Sequence, residues 1–227
     1  MLDLSTLKNR LLLEEKTFTK QCVENVITGE IMRLVCDWDL VIAPADIEWL
    51  SWLNAVSRSN IKFDKTQKTV HYDITKYFPD FKKQFGVDPY SFWDNQHLYD
   101  TMGVVPNSTD VVHRIIANGA NISIASHTKG GHLSSKYRHV TRSLDKVDFS
   151  RTSGNGFFAT KEKYLLPCDV TIDDRAENLV LFPDETLKIY FNTIYEDPYL
   201  EELKKLPNVI ITGLDNQWEE IESILLP

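Results

Sequence analysis

With 227 residues, 42% of them hydrophobic, the chain holds enough apolar material for an α/β domain carrying an insertion, and its composition excludes wholesale disorder. A formal net charge of −8 argues against a surface that tracks a nucleic-acid backbone, while leaving room for a local basic pocket around one phosphate. Three scattered cysteines, Cys22, Cys36 and Cys168, exclude a disulfide framework or a zinc site and fit a reducing cytoplasm. No apolar run is long enough to span a bilayer. Residues 1–20 carry Asp3, Lys8, Arg10, Glu14 and Glu15 among their leucines, where a signal peptide would have an unbroken apolar core, so the chain is expected to be soluble.

In chain order, Leu2, Leu4, Leu7 and Leu11 predict a short amphipathic helix, followed by a helical turn at 22–27. Residues 31–36 form a compact apolar run that stops at Asp37, the pattern of a buried strand with polar residues at its C-terminal end. Helices are predicted at 46–55, 75–84 and 89–101, with a short hairpin around 69–72. Beyond Pro106 the spacing predicts a helix to Ala117, a strand at 121–125, a helix at 132–142 and a strand at 146–149. A loop at 153–156 and one or two helical turns at 161–166 lead to a strand at 169–172. Further strands are expected at 180–182, 188–191 and 209–212, with helices at 196–205 and 216–226. Alternating strand and helix predict a mostly parallel, helix-covered sheet.

Ligands of open α/β sheets bind beyond the carboxyl ends of the strands. Three apolar runs here end in Asp37-Trp38-Asp39, in Ser126 and in Asp173-Asp174. Four aspartates converging on one edge repel one another unless a divalent cation neutralises them, and hard oxygen ligands with room for water and phosphate suit Mg²⁺. A lysine from the segment before the third strand would offset the remaining charge and grip a phosphoryl oxygen.

These residues carry a resemblance. Leu34-Val35-Cys36-Asp37-Trp38-Asp39-Leu40-Val41 resembles the first motif of the haloacid dehalogenase superfamily of phosphatases, an apolar strand followed by Asp-x-Asp. Ile122-Ser123-Ile124-Ala125-Ser126 is similar to the second motif. Lys163 stands at the position of the third-motif lysine, with Lys161 as its rival, and Val170-Thr171-Ile172-Asp173-Asp174-Arg175 resembles the fourth. Within the superfamily the pattern is most similar to the 5′(3′)-deoxyribonucleotidase group, which usually has glycine where this chain has Leu40.

The resemblance implies a Rossmann-like α/β core over 1–40 and 108–227, with 1–30 as an N-terminal helical extension and a helical cap inserted at 41–107. It implies a Mg²⁺-dependent phosphomonoester hydrolase, most like a 5′-nucleotidase acting on nucleoside monophosphates. A phosphatase of sugar phosphates is the nearest alternative, and a non-catalytic nucleotide-binding protein is an alternative of another class. In that reading Asp37 is the nucleophile and Asp39 the general acid and base. Ser126 donates a hydrogen bond to the phosphoryl group, and Lys163 compensates charge. Mg²⁺ is held by the Asp37 carboxylate, the Asp39 main-chain carbonyl and Asp174, with Asp173 close by or acting through water. Trp38 and His127 join Ser126 and Lys163 as expected substrate contacts. The expected partner is a small phosphomonoester, not a membrane or a polynucleotide, and homo-oligomerisation is left open. Aromatic residues crowd 41–107, and Trp49 and Trp52, which follow the first motif most closely, are the first candidates to stack on a base.

Overall fold

The computed structural model describes residues 31–63 and 70–226. The expected N-terminal helix, the turn at 22–27 and the start of the hairpin at 69–72 lie outside the described residues. By contacts the chain falls into two units, Met1–Met32 and Arg33–Pro227, and the second carries the sheet with its helices.

Six parallel strands form one sheet: β1 (Arg33–Cys36), β2 (Asn121–Ala125), β3 (Gly156–Phe158), β4 (Val170–Asp173), β5 (Leu187–Tyr190) and β6 (Val209–Ile211). Their spatial order is β3-β2-β1-β4-β5-β6, so β1 is central and the chain reverses direction around it. Cys36 stands level with both Ile124 and Ile172, which brings the ends of β1, β2 and β4 to one edge. Covered on both faces, β4 and β5 are buried at every position. Lys188 is tolerated inside β5 because its ammonium donates to the carbonyls of Pro183 at 2.6 Å and Thr186 at 3.1 Å.

The helices are α1 (Ala45–Ser57), α2 (Phe81–Phe85), α3 (Ser108–Ala117), α4 (Leu133–Ser143), α5 (Ala176–Leu179), α6 (Leu200–Leu203) and α7 (Gln217–Leu225). α3 and α7 are joined by Arg114–Glu222 and Asn107–Glu219 contacts. None of the described helices is long and apolar enough to cross a membrane.

Several expected elements differ from those observed. The helix at 75–84 splits into a 3₁₀ turn (Ile74–Tyr77) and α2, because Pro79 lacks an N–H and bars its predecessor from helical geometry. The helix at 89–101 contracts to a 3₁₀ turn (Ser91–Asp94), after which the Asn95 side chain accepts the His97 N–H and closes a local turn. Residues 146–149 form turns, with the Asp148 carboxylate accepting from Ser150. The strand that pairs with β2 lies instead at Gly156–Phe158. Residues 180–182 continue the turns of α5, the helix that Asp197 caps by accepting the Ala176 N–H at 2.7 Å. Val70 lies in an isolated parallel bridge with Tyr195, so the described part of 69–72 pairs with a distant loop and not with a hairpin partner.

Candidate active site

The end of β1 places Asp37 in line with the sheet edge, where its N–H donates to the Ile172 carbonyl at 2.9 Å. Its carboxylate accepts from the Trp38 N–H at 2.7 Å and from the Lys163 ammonium at 2.8 Å. Asp173, at the end of β4, takes the same ammonium at 2.6 Å, and it also accepts from the Arg175 N–H and the Asn178 amide. Asp174 follows, buried, with its Oδ2 lacking any hydrogen-bond partner. Oxygens of Asp37, Asp173 and Asp174 lie within 4.8 Å of one another.

Burial pushes the Asp37 carboxyl up to about 6; Lys163 opposes the shift, and Asp173 and Asp39 add to it. Asp174 is raised well above the usual carboxylate range by burial and then by Asp173 and Asp37. Burial alone would lower the pKa of Lys163, but the adjacent Asp173 and Asp37 carboxylates outweigh it and hold the ammonium charged. Three buried carboxylates thus face one buried lysine, and one carboxylate oxygen has no donor. Such a hard, electron-rich oxygen cluster fits a divalent cation of the Mg²⁺ type. Asp174, whose Oδ2 has no donor, would hold it directly, and Asp37 and Asp173, each already accepting from donors on both oxygens, would complete the cluster around it.

The Asp39 carboxylate is not part of that cluster. Its Oδ1 accepts from the Tyr99 hydroxyl at 2.9 Å, and its Oδ2 accepts from the Lys136 ammonium at 2.7 Å and, at a long 3.5 Å, from Ser126. The expected metal contact of Asp39 is through its main-chain carbonyl, and the donors that hold its side chain are compatible with that expectation. Ser126 is buried at the end of β2, its N–H bonded to the Phe158 carbonyl at 3.0 Å. Of the two lysines weighed for the third motif, Lys163 lies buried in the site and Lys161 is exposed.

The two other expected substrate contacts differ in their surroundings, and only the Trp38 side chain is turned away from the strand ends. Trp38 is fully buried, its indole N–H donating to His139 Nδ1 at 3.1 Å and its ring meeting that imidazole edge-on, so its side chain belongs to the core. His127 has an exposed side chain, and its carbonyl accepts from Lys136 at 2.9 Å. Trp49 and Trp52 do not face the site. Trp49 packs on Tyr90 and Trp93 with its N–H on the Pro89 carbonyl, and Trp52 packs on Phe81 and Phe92.

The aromatic residues of 41–107 that reach the strand ends are Tyr99 and Tyr72. Tyr72 lies under the Arg175 guanidinium, 4.9 Å from its ring centre. With Tyr190, Tyr195 and Tyr199 it lines a cavity of about 100 Å³ beside Asp174. Leu40, standing where the resembled group has glycine, adopts φ 64°, so the tight turn is kept at a backbone cost of roughly 1–2 kcal/mol.

Sequence reasoning passed over Lys136 and Asn178, and held Tyr99 only as one of the aromatic residues crowding 41–107. For Lys136 a signal was present. His132, Lys136, His139 and Val140 share a helical stripe, so α4 carries a charged residue on the face that Val140 buries. No comparable signal marks Tyr99 or Asn178, whose partners are distant or depend on the turn after β4.

No protein-family model matches the chain, and no curated protein matches it. Solved structures do. A haloacid dehalogenase-like hydrolase from Burkholderia xenovorans is 13% identical, over 87% of this chain and 99% of that one, at a TM-score of 0.50. A chain assigned as a phosphatase from Clostridium difficile is 15% identical, over 86% and 99%, at a TM-score of 0.52. One assigned as a β-phosphoglucomutase from Thermotoga maritima is 10% identical, over 86% and 100%, at a TM-score of 0.51. At such identities the likeness is one of fold: this chain has the haloacid dehalogenase-like α/β fold.

Proposed function

We propose that the protein is a Mg²⁺-dependent phosphomonoester hydrolase that works through a phosphorylated Asp37. One observation carries the reading. Two aspartates two residues apart are held in different surroundings: Asp37 on Lys163 within the acidic cluster, Asp39 outside it with donors of its own. Separated environments let neighbouring carboxylates take nucleophilic and acid/base roles.

In the forward step an Asp37 oxygen bonds to phosphorus and the bond from phosphorus to the leaving oxygen breaks. That oxygen receives the proton carried by Asp39. Water then attacks phosphorus, gives its proton to Asp39, and releases inorganic phosphate and the free Asp37 carboxylate. Ser126, with its hydroxyl at the end of β2, donates to the phosphoryl oxygens. Lys163 offsets the charge gathered at the reacting centre. Mg²⁺, when bound, supplies further neutralisation of that charge and orients the phosphoryl group.

The substrate class favoured is a nucleoside monophosphate. The support is the aromatic side chains of 41–107 that reach the strand ends, Tyr72 and Tyr99, since the cavity of about 100 Å³ beside Asp174 is too small to take a base as it stands. The test is phosphate release over a panel of nucleoside monophosphates and sugar phosphates, with Mg²⁺ and after chelation. Nucleotides are expected to lead in kcat/KM, chelation to stop release, and Asp37→Asn to abolish turnover while the fold is kept. Near-native turnover by Asp37→Asn would overturn the mechanism. A lead for sugar phosphates would overturn the substrate class alone.

A further inference from the structure

We infer that Lys136 and Tyr99 are positioning residues for Asp39, a two-sided clamp that aims the acid/base carboxylate at the leaving-group oxygen; the inference rests on the acid/base role proposed for Asp39. The Lys136 ammonium is 1% exposed and lies 2.7 Å from Asp39 Oδ2, 3.1 Å from Ser126 Oγ and 2.9 Å from the His127 carbonyl. An ammonium has three N–H donors, and here each has an acceptor. A phosphoryl oxygen could be gripped only by giving one of these up, so the saturated geometry assigns Lys136 to holding protein groups in place.

Those groups come from two strand ends. Asp39 follows β1, Ser126 and His127 follow β2, and Lys136 ties both to α4. Tyr99 closes the other side of the carboxylate, its hydroxyl 2.9 Å from Asp39 Oδ1, and its ring lies 4.8 Å below the same ammonium. With both oxygens engaged, the Asp39 side chain has one orientation, and the hydroxyl of Tyr99 makes that orientation depend on the 41–107 segment. The two clamp residues are 37 positions apart in the chain, so the arrangement exists only in the fold.

The experiment uses the full chain with Mg²⁺ and reads the pre-steady-state release of two leaving groups. One is an alkoxide from an alkyl phosphomonoester, which needs a proton; the other is nitrophenolate from p-nitrophenyl phosphate, which does not. Lys136→Met and Tyr99→Phe are expected to slow alkoxide release by up to about 10²-fold, the scale of a misplaced catalytic group. For Tyr99→Phe, nitrophenolate release and KM for either ester should hold; Lys136→Met, which also takes a donor from Ser126, should add a smaller loss common to both esters, so the excess loss on the alkoxide reads the clamp. In an Asp39→Asn background, Tyr99→Phe should add almost nothing to the loss.

A purely structural role predicts equal loss on both esters and losses that multiply in the double variant, and that result would overturn the clamp. If Lys136→Met does not fold, Tyr99→Phe decides alone, since it removes a single hydroxyl. A wild-type protein that releases neither leaving group sinks the phosphatase reading together with the clamp. Wild-type turnover with losses independent of the leaving group sinks the clamp only.

Discussion

His139 lies fully buried on α4, accepting the Trp38 indole N–H, and burial pulls its pKa down to about 4, with Arg142 adding to the shift. In the unfolded chain a histidine titrates near 6.5. Between these values the unfolded chain binds a proton that the folded chain refuses. The stabilising contribution of the neutral ring is therefore whole above about pH 6.5 and is lost as pH falls toward 4, by about 3 kcal/mol in the limit. Urea midpoints measured from pH 7 to 4.5 should fall, and His139→Gln, which keeps an acceptor for the indole but does not titrate, should flatten that fall. A profile that the substitution leaves unchanged would place the acid sensitivity in other groups. The same buried stripe of α4 carries Lys136, so one helix face supplies both a core contact and a site contact.

At the scale of elements, the residues between β1 and α3 divide into two sets. Trp49, Trp52, Phe81, Phe92 and Trp93 pack ring to ring and serve as the core of a segment too short to build one from aliphatic layers. Tyr72 and Tyr99 turn toward the strand ends instead. Trp52→Ala should therefore cost stability, by about 2 kcal/mol for a half-buried ring, where fully buried aromatics lose 3–5. It should leave the ratio of kcat/KM between nucleotides and sugar phosphates as it was. Chemical denaturation and the substrate panel on one preparation check both halves; a shifted ratio at full stability would make Trp52 a substrate contact after all. The same logic explains why a 13-residue α1 survives among short turns, since its buried Trp49 and Leu53 anchor it on one side.

For the molecule as a whole, the acidic edge sets a balance between stability and metal. Asp174 is raised by burial and by two neighbouring carboxylates, so without a cation its charge works against folding. Asp174→Asn should melt higher than the wild type in a chelator, because it removes one like charge from Asp37 and Asp173. Saturating Mg²⁺ should reverse that order. A ligand that binds only the folded state adds about 2.7 kcal/mol at a hundredfold excess over its Kd, and the variant should forfeit most of it. Thermal melts of both proteins with and without Mg²⁺ test this. Equal Mg²⁺ shifts in the two would exclude Asp174 as a ligand.

Local chemistry determined much of this protein from the sequence alone. Apolar runs that stop at aspartate or serine marked β1, β2 and β4 with their polar ends, because a parallel strand buried on both faces must be apolar until it emerges. The position of Lys163, ten residues before Asp173, pointed to the lysine that bridges Asp37 and Asp173. Elements whose identity rests on a distant partner were decided only in the tertiary structure. The three-residue β3 exists because Ser123, Ile124 and Ala125 offer it a ladder, and the turns at 180–182 follow a helix capped by Asp197. The fate of each aromatic ring and the clamp on Asp39 belong to the same class. A ring's hydrophobicity does not say which neighbour will bury it, and a lysine on a helix face acquires its acceptors only when another strand end and a remote hydroxyl are folded against it.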